Sequence, residues 1–297
     1  MIEAPDLVLP DRIALTDPTP FLAAVTRTPT FHKNLDTLDV VEMWALVALC
    51  ALARRELHDE TRSDVYTRGQ SGAGRFAHAV GFAAARDGQD FGASQVDRTV
   101  AIQRVAFGSS AEAVAGRIAR LAVPDDEESE SRGALAYVID ELLRNVLQHS
   151  GDPLGAVIGA QRIEAGKGPY TRPTVQVTVA DSGRGIAESL RRFHDVPDAK
   201  VALEKAIRPH ISGTFPEGQT GSIDNAGLGL FFTSEMAKLT ASRFLLSTRG
   251  GALLLTSDEH EGTHELSFLT PDAPAIPARS PSSSCRSRSR IETRSFR

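Results

Sequence analysis

The chain has 297 residues, of which 41% are hydrophobic and 24% charged, with a formal net charge of −5. That size leaves room for one large or two ordinary domains around a buried core, and the slightly acidic balance argues against nonspecific nucleic-acid binding. Only Cys50 and Cys285 are present, which argues against a disulfide framework or a cysteine zinc site and points to a reducing cytoplasm.

The opening stretch MIEAPDLVLPDR lacks the basic-then-apolar order of a secretory signal. Asp17-Pro18 ahead of FLAAVTR predicts an N-capped helix with proline in its first turn. Residues 40–55 read as a strongly apolar helix, buried on most sides and ending in Arg54 and Arg55. Its apolar run is interrupted by Glu42 and falls short of the roughly 20 residues that span a bilayer, so no membrane segment is expected. Residues 62–74 predict a strand and loop leading into a short helix through Phe82. The loop RGQSGAGR invites a phosphate-loop reading, but the GxxxxGK[ST] spacing is not met and a plain turn is the better account. Residues 96–105 alternate weakly as a strand, and 110–121 form a helix. Residues 1–123 are therefore expected to be a small regulatory α/β domain. The segment PDDEESES, at 124–131, is charged and free of large apolar residues, and it marks the expected boundary.

The next stretch, ALAYVIDELLRNVLQHS at 134–150, predicts one amphipathic helix. Leu135, Val138, Ile139, Leu142, Val146 and Leu147 form its apolar stripe. Glu141, Asn145 and His149 fall at i, i+4 and i+8 along one side, close to that stripe. A carboxylate one turn before an amide can place a proton acceptor beside a ligand for a divalent ion. A solvated polar edge explains the helix, taken alone, equally well.

Beyond it, LGAVIGAQRI reads as a strand, and TVQVTVA at 174–180 is a period-2 strand that ends abruptly in DSGRGI. Residues 187–193 and 199–207 are helical. The polar segment 209–225 is long for a passive connection and predicts a mobile loop. NAGLGL then opens a helix over 231–239. RFLLST and ALLLTS predict a hairpin about Arg249-Gly250-Gly251, and 261–269 supply a last strand. From Pro271 onward proline, serine and arginine dominate, which predicts a disordered tail over 271–297.

Three of these pieces carry chemistry. Asp181, at a strand end, can accept a hydrogen bond from an exocyclic amine, while Gly183 and Gly185 permit a tight turn; a plain β-turn favours the same residues. Gly227-Leu228-Gly229 at a helix start would present backbone N–H groups to an anion, although a loop-to-helix transition also calls for glycine. Thr263, after Gly262, offers a hydroxyl near where Asp181 would point, or is an ordinary strand threonine.

The ordered set of DELLRNVLQHS, DSGRGI, NAGLGL and Gly262-Thr263 resembles the GHKL superfamily of gyrase, heat-shock chaperone, histidine-kinase and mismatch-repair ATPases. The resemblance covers about residues 130–270, and the histidine-kinase and anti-sigma-kinase branch is nearest. It implies the Bergerat ATP-binding fold, a two-layer α/β sandwich with a mixed sheet. The ligands it implies are ATP and Mg²⁺. By the same resemblance, Glu141 would be the general base and Asn145 the Mg²⁺ ligand. Asp181 would bind the adenine amine, with Thr263 assisting through water, and Gly183 and Gly185 would lie along the nucleotide. Gly227, Leu228 and Gly229 would hold the phosphates under a 209–225 lid, with His149 close by. The function implied is phosphotransfer to a protein partner, regulator or phosphoacceptor, or slow hydrolysis driving a lid-coupled switch; the alternative is a non-catalytic ATP sensor. No phosphoacceptor histidine on a dimerising hairpin precedes the linker. The N-terminal domain is faintly similar to STAS domains and is where a homodimer contact would lie.

Overall fold

The computed structural model describes residues 6–28, 31–55, 63–89, 91–106, 108–124, 130–167, 170–216, 227–240, 242–258 and 263–269. The expected tail over 271–297 and residues 125–129 of the acidic segment lie outside the described residues. The architecture is mixed α/β. Its first half contains β1 (Arg12–Ile13), α1 (Thr19–Arg27), β2 (His32–Asn34), β3 (Val40–Val41), α2 (Met43–Arg55), β4 (Asp64–Tyr66), α3 (Gly72–Ala79) and α4 (Phe82–Arg86). Strands β1 and β3 pair in parallel, as do β2 and β4. Pro18 rather than Asp17 stands at the N-cap of α1, and no side chain caps it.

Helix α2 organises this half. From Met43 to Ala53 no residue is exposed, and Met43, Ala45, Leu46, Val47, Leu49 and Cys50 are all at 0%. A helix apolar all round must be covered all round. One side of α2 packs on β4 and α4, the other on two strands of the second half.

That second half begins before the acidic segment. It comprises β5 (Thr99–Val105), α5 (Gly108–Ala122), α6 (Glu130–Asn145), β6 (Ala156–Ile163) and β7 (Thr174–Ala180). It continues with α7 (Ile186–Leu190), α8 (Ala199–Ala206), α9 (Gly229–Leu239), β8 (Arg243–Thr248), β9 (Gly251–Asp258) and β10 (Thr263–Leu269). Strands β5, β6 and β7 form an antiparallel sheet with β6 in the middle. Ala156, Ile158 and Ala160 point from β6 into a core shared with Val105, Ala111, Val114, Ile118, Ile139 and Leu143. The division expected at 123/130 is therefore not where packing divides. The helices on either side of the acidic segment, α5 and α6, pack on each other, so its polarity does not mark the end of a core.

The opposite face of β6 meets α2. Val157 joins the α2 core, and a Cβ on Gly159 would stand 3.0 Å from Val47 Cγ2 and 3.1 Å from the Met43 sulfur. The sheet thus carries α5 and α6 on one face and, on the other, α2 from outside the unit expected to have two layers. Strands β8, β9 and β10 form a second antiparallel sheet, with β9 central and α8 and α9 packed on it through Leu203, Ala237, Leu253 and Leu255. Among the described residues these two sheets are separate and each wholly antiparallel, so the expected single mixed sheet is not the hydrogen-bonded arrangement. No helix among the described residues is long and apolar enough to cross a membrane.

The α2 layer is held by buried polar bonds as well. Glu42, 7% exposed, accepts from Leu15 N at 2.9 Å, from Tyr170 Oη at 2.8 Å and from Gln176 Nε2 at 2.5 Å. Met43 N donates to Gln161 Oε1 at 3.1 Å. Burial, and then the Glu42 charge, push the Tyr170 phenol well above its ordinary pKa, so it remains a donor.

The RGQSGAGR loop also takes a definite role. Its N–H groups at Arg68, Gln70 and Ser71 donate to the Asp36 carboxylate at 2.6, 2.7 and 3.0 Å. A Cβ on Gly74 would lie 1.9 Å from Asp36 Oδ1. The loop is a turn, as expected, but one that cradles an anion belonging to the chain itself.

Two outcomes follow from this packing. Leu46→Ala should cost about 2–5 kcal/mol in denaturant unfolding, because α2 is enclosed and the cavity has little room to collapse. Burial pushes Asp36 up, but the N–H groups of Arg68, Ser71 and Gln70 with the Thr67 hydroxyl outweigh it and hold the carboxyl below its ordinary value. A depressed folded pKa gives stability that is complete above the unfolded value, about 3.9, and is lost as pH falls through the folded one. Asp36→Asn should accordingly flatten the acid limb of the stability–pH curve below about pH 4, measured by thermal unfolding.

Candidate functional site

Helix α6 buries Val138, Ile139 and Leu143, the last two in the core it shares with α5 and β6. The fully buried residue is Leu143, whereas Leu142 of the expected stripe is only half-buried. Glu141 and Asn145 lie half-buried at the edge of this core. They do share a face, and α9 begins against it. A Cβ on Gly229 would stand 2.6 Å from Asn145 Nδ2 and 3.5 Å from Glu141 Oε2.

Among the described residues no side chain caps the N-terminus of α9, whose N-cap residue is Leu228. Its first N–H groups and positive end therefore sit beside Glu141 and Asn145, an arrangement suited to an anion. Asn145 Nδ2 is buried and has no hydrogen-bond partner among the described residues. A buried amide hydrogen left unpaired costs free energy unless something occupies the adjoining space.

His149 departs from the expected row. After Asn145 the helix widens into a π-helical turn over Val146–Ser150, ended by Gly151 at φ 66°. Each residue of a wider turn advances less around the axis, which takes His149 off the Glu141–Asn145 line. Burial, and then the Arg184 guanidinium, hold its imidazole below the ordinary pKa, so it is neutral at pH 7.

The DSGRG turn packs onto this widened end. Arg184 N donates to Ser150 O at 2.8 Å, and Ser182 N donates to Asp152 Oδ2 at 2.9 Å. Asp181 closes the turn on itself, accepting from Gly183 N at 2.8 Å through Oδ1. Burial raises the Asp181 pKa above its ordinary value; the Gly183 N–H opposes this, Asp152 adds to it and Arg249 opposes it again.

The glycines of both boxes are explained by the protein's own contacts. A Cβ on Gly183 would fall 2.3 Å from Ser150 O, and one on Gly185, at φ 81°, would fall 2.9 Å from Thr248 Oγ1. Gly227, at φ 65°, lies against the backbone of Ile211, and its carbonyl accepts from His210 N at 3.1 Å. The two ends of the expected lid are thus tied together; its residues 217–225 lie outside the described residues.

Thr263 is not where the sequence placed it. It is exposed and pairs with Asp258, at the opposite end of its sheet from Thr248 and Gly251. Gly262 lies outside the described residues. The threonine at the DSGRG turn is Thr248, whose Oγ1 accepts from Ile186 N at 3.0 Å, and its neighbour Arg249 donates from Nη2 to Gly183 O at 3.0 Å. Neither was foreseen. Both sit at a hairpin end that reads locally as a turn, and only the packing of the second sheet brings them to the loop.

Among the described residues no group of three His, Cys, Asp or Glu side chains could hold a metal ion by itself, so a cation here would depend on Asn145 together with a ligand's own oxygens. A small concavity between α1 and the β8–β9 turn, lined by Thr19, Leu22, Thr26, Thr248 and Ala252, measures about 20 Å³, room for about one water. No protein-family model, curated protein or solved structure matches the chain.

Gly183→Ala should destabilise the fold by about 1–3 kcal/mol, since its methyl would meet a backbone carbonyl that cannot rotate away. Thermal unfolding of the variant beside wild type measures this.

Proposed function

We propose that α6, the DSGRG turn and the start of α9 form a GHKL-type ATP·Mg²⁺ site within a Bergerat-like unit. On this reading the chain is a signalling protein that transfers phosphate to a protein partner or hydrolyses ATP slowly to drive a switch. The observation that carries the proposal is the meeting of Gly229 with Glu141 and Asn145. A helix N-terminus with no side-chain cap among the described residues attracts phosphate, and the buried Asn145 amide beside it calls for a partner.

The amide fits Mg²⁺. Which of its two atoms faces inward is settled only by hydrogen-bond partners, and turning it presents an oxygen, the kind of hard ligand Mg²⁺ takes. Bound there, Mg²⁺ would neutralise charge on the phosphoryl group being transferred. Glu141, one turn earlier, would accept the proton of the attacking hydroxyl or water. Gly227, Leu228 and Gly229 would bring phosphate oxygens to the first N–H groups of α9. Asp181 has one oxygen engaged by Gly183 N and would offer the other to an exocyclic amine such as adenine's. His149 and Thr263 have no part in this assignment, the first lying in the widened turn after Asn145 and the second at the far end of its sheet.

Purified protein should bind a fluorescent ATP analogue saturably and in a Mg²⁺-dependent way. Asp181→Asn should weaken that binding about tenfold, the worth of one hydrogen bond to a charged group. Glu141→Ala should leave binding intact and abolish phosphate release or partner labelling. Unchanged affinity in Asp181→Asn would remove the basis of the proposal.

A further inference from the structure

Strand β7 has different business on its two faces. Val177 and Val179 pack into the core beneath α5 and α6, and Asp181 follows them at the same two-residue spacing. The intervening residues belong to α2. Gln176 donates to Glu42, Ala180 packs into the α2 core, and Ser182 Oγ donates to Ala51 O at 2.5 Å. Helix α2 is thereby fastened to β7 at both ends, by Glu42 at the strand's start and by Ala51 just beyond its finish. The first fastening is a buried carboxylate with three donors, Leu15 N, Tyr170 Oη and Gln176 Nε2, which does not slip without leaving a buried charge unpaired. The second fastening acts on the residue next to Asp181.

The same turn is gripped from the other side by the β8–β9 hairpin, through Thr248 to Ile186 N and Arg249 to Gly183 O. That hairpin end rests on α1, across Thr19, Leu22 and Thr26. Of the N-terminal helices, α1 therefore reaches the DSGRG turn through the hairpin, and α2 reaches it by a direct bond.

We propose that α2 and the DSGRG turn shift as one body, with Ser182 the positioning residue that couples the N-terminal half to nucleotide affinity at Asp181. This rests on the reading of that turn as part of an ATP site. Coupling of this kind is reciprocal: nucleotide at Asp181 displaces α2, and a partner that displaces α2 alters nucleotide affinity by the same factor.

The chain carries its own reporter. Trp44 is the single tryptophan of the sequence and lies on α2. It is 4% exposed, stands edge-on to Phe21 of α1 at 4.9 Å between ring centroids, and its indole nitrogen has no hydrogen-bond partner among the described residues. Its emission is set by how α2 packs.

The test titrates Mg²⁺·ATP into the full chain while following Trp44 emission, with binding measured separately by anisotropy of a labelled ATP analogue. Wild type should show an emission change that saturates with binding. Ser182→Ala should bind about fivefold more weakly, as expected for one neutral hydrogen bond, and should lose the emission change. Ser182→Thr, which keeps the hydroxyl, should restore both. Binding with flat Trp44 emission in wild type, or a wild-type emission change in Ser182→Ala, would overturn the coupling and leave the ATP site standing. No anisotropy change in wild type would instead overturn the site, and the coupling with it.

Discussion

An apolar helix with no polar side cannot lie on a surface, and α2 is such a helix. Covering it takes β4 and α4 on one side and β6 and β7 on the other. This one requirement makes the N-terminal half a third layer on the central sheet rather than a separately tethered regulator. It also accounts for Gly159, since a side chain there would push α2 off the sheet. The buried Glu42 bonds then fix where along β7 the helix sits. Dispersion and hydrophobic burial would hold it there with little directional preference; the carboxylate supplies the register.

Patterns confined to one element were legible in the sequence. The alternation of β7 gave its faces, the apolar spacing of α6 gave its buried side, and Gly250-Gly251 gave the β8–β9 hairpin. The coarse α/β class followed from those. The boundary did not, because an acidic run reports only that its own residues prefer water. It cannot say whether the helices flanking it separate or fold back on each other, and α5 and α6 fold back. Leu143 shows the same limit on a smaller scale. The expected stripe passed it over for Leu142, yet the way α6 leans on α5 buries Leu143 completely.

The candidate site divides along similar lines. Glu141 and Asn145 are one turn apart on one helix, so their alignment was readable, whereas their proximity to Gly229 is a contact between stretches distant in the chain. His149 belonged to the same row only for as long as the helix stayed an α-helix, and the widened turn before Gly151 carries no local signature that the row would break. Thr263 and Thr248 are both strand threonines beside glycine-bearing turns. Choosing between them requires knowing which end of the second sheet approaches the DSGRG turn, a question of contacts distant in the chain.

The glycines have a consequence for how the chain can diverge over time. Gly183, Gly185 and Gly227 are each required by an atom of the protein: the Ser150 carbonyl, the Thr248 hydroxyl and the Ile211 backbone. These contacts keep the glycines under selection whether or not the proposed ligand is bound, because replacing any one disturbs packing. Asn145 is different, for nothing among the described residues bonds its buried amide. Drift would reach that position early. Among descendants, the glycine boxes would record ancestry, and the amide would record whether the proposed site is kept.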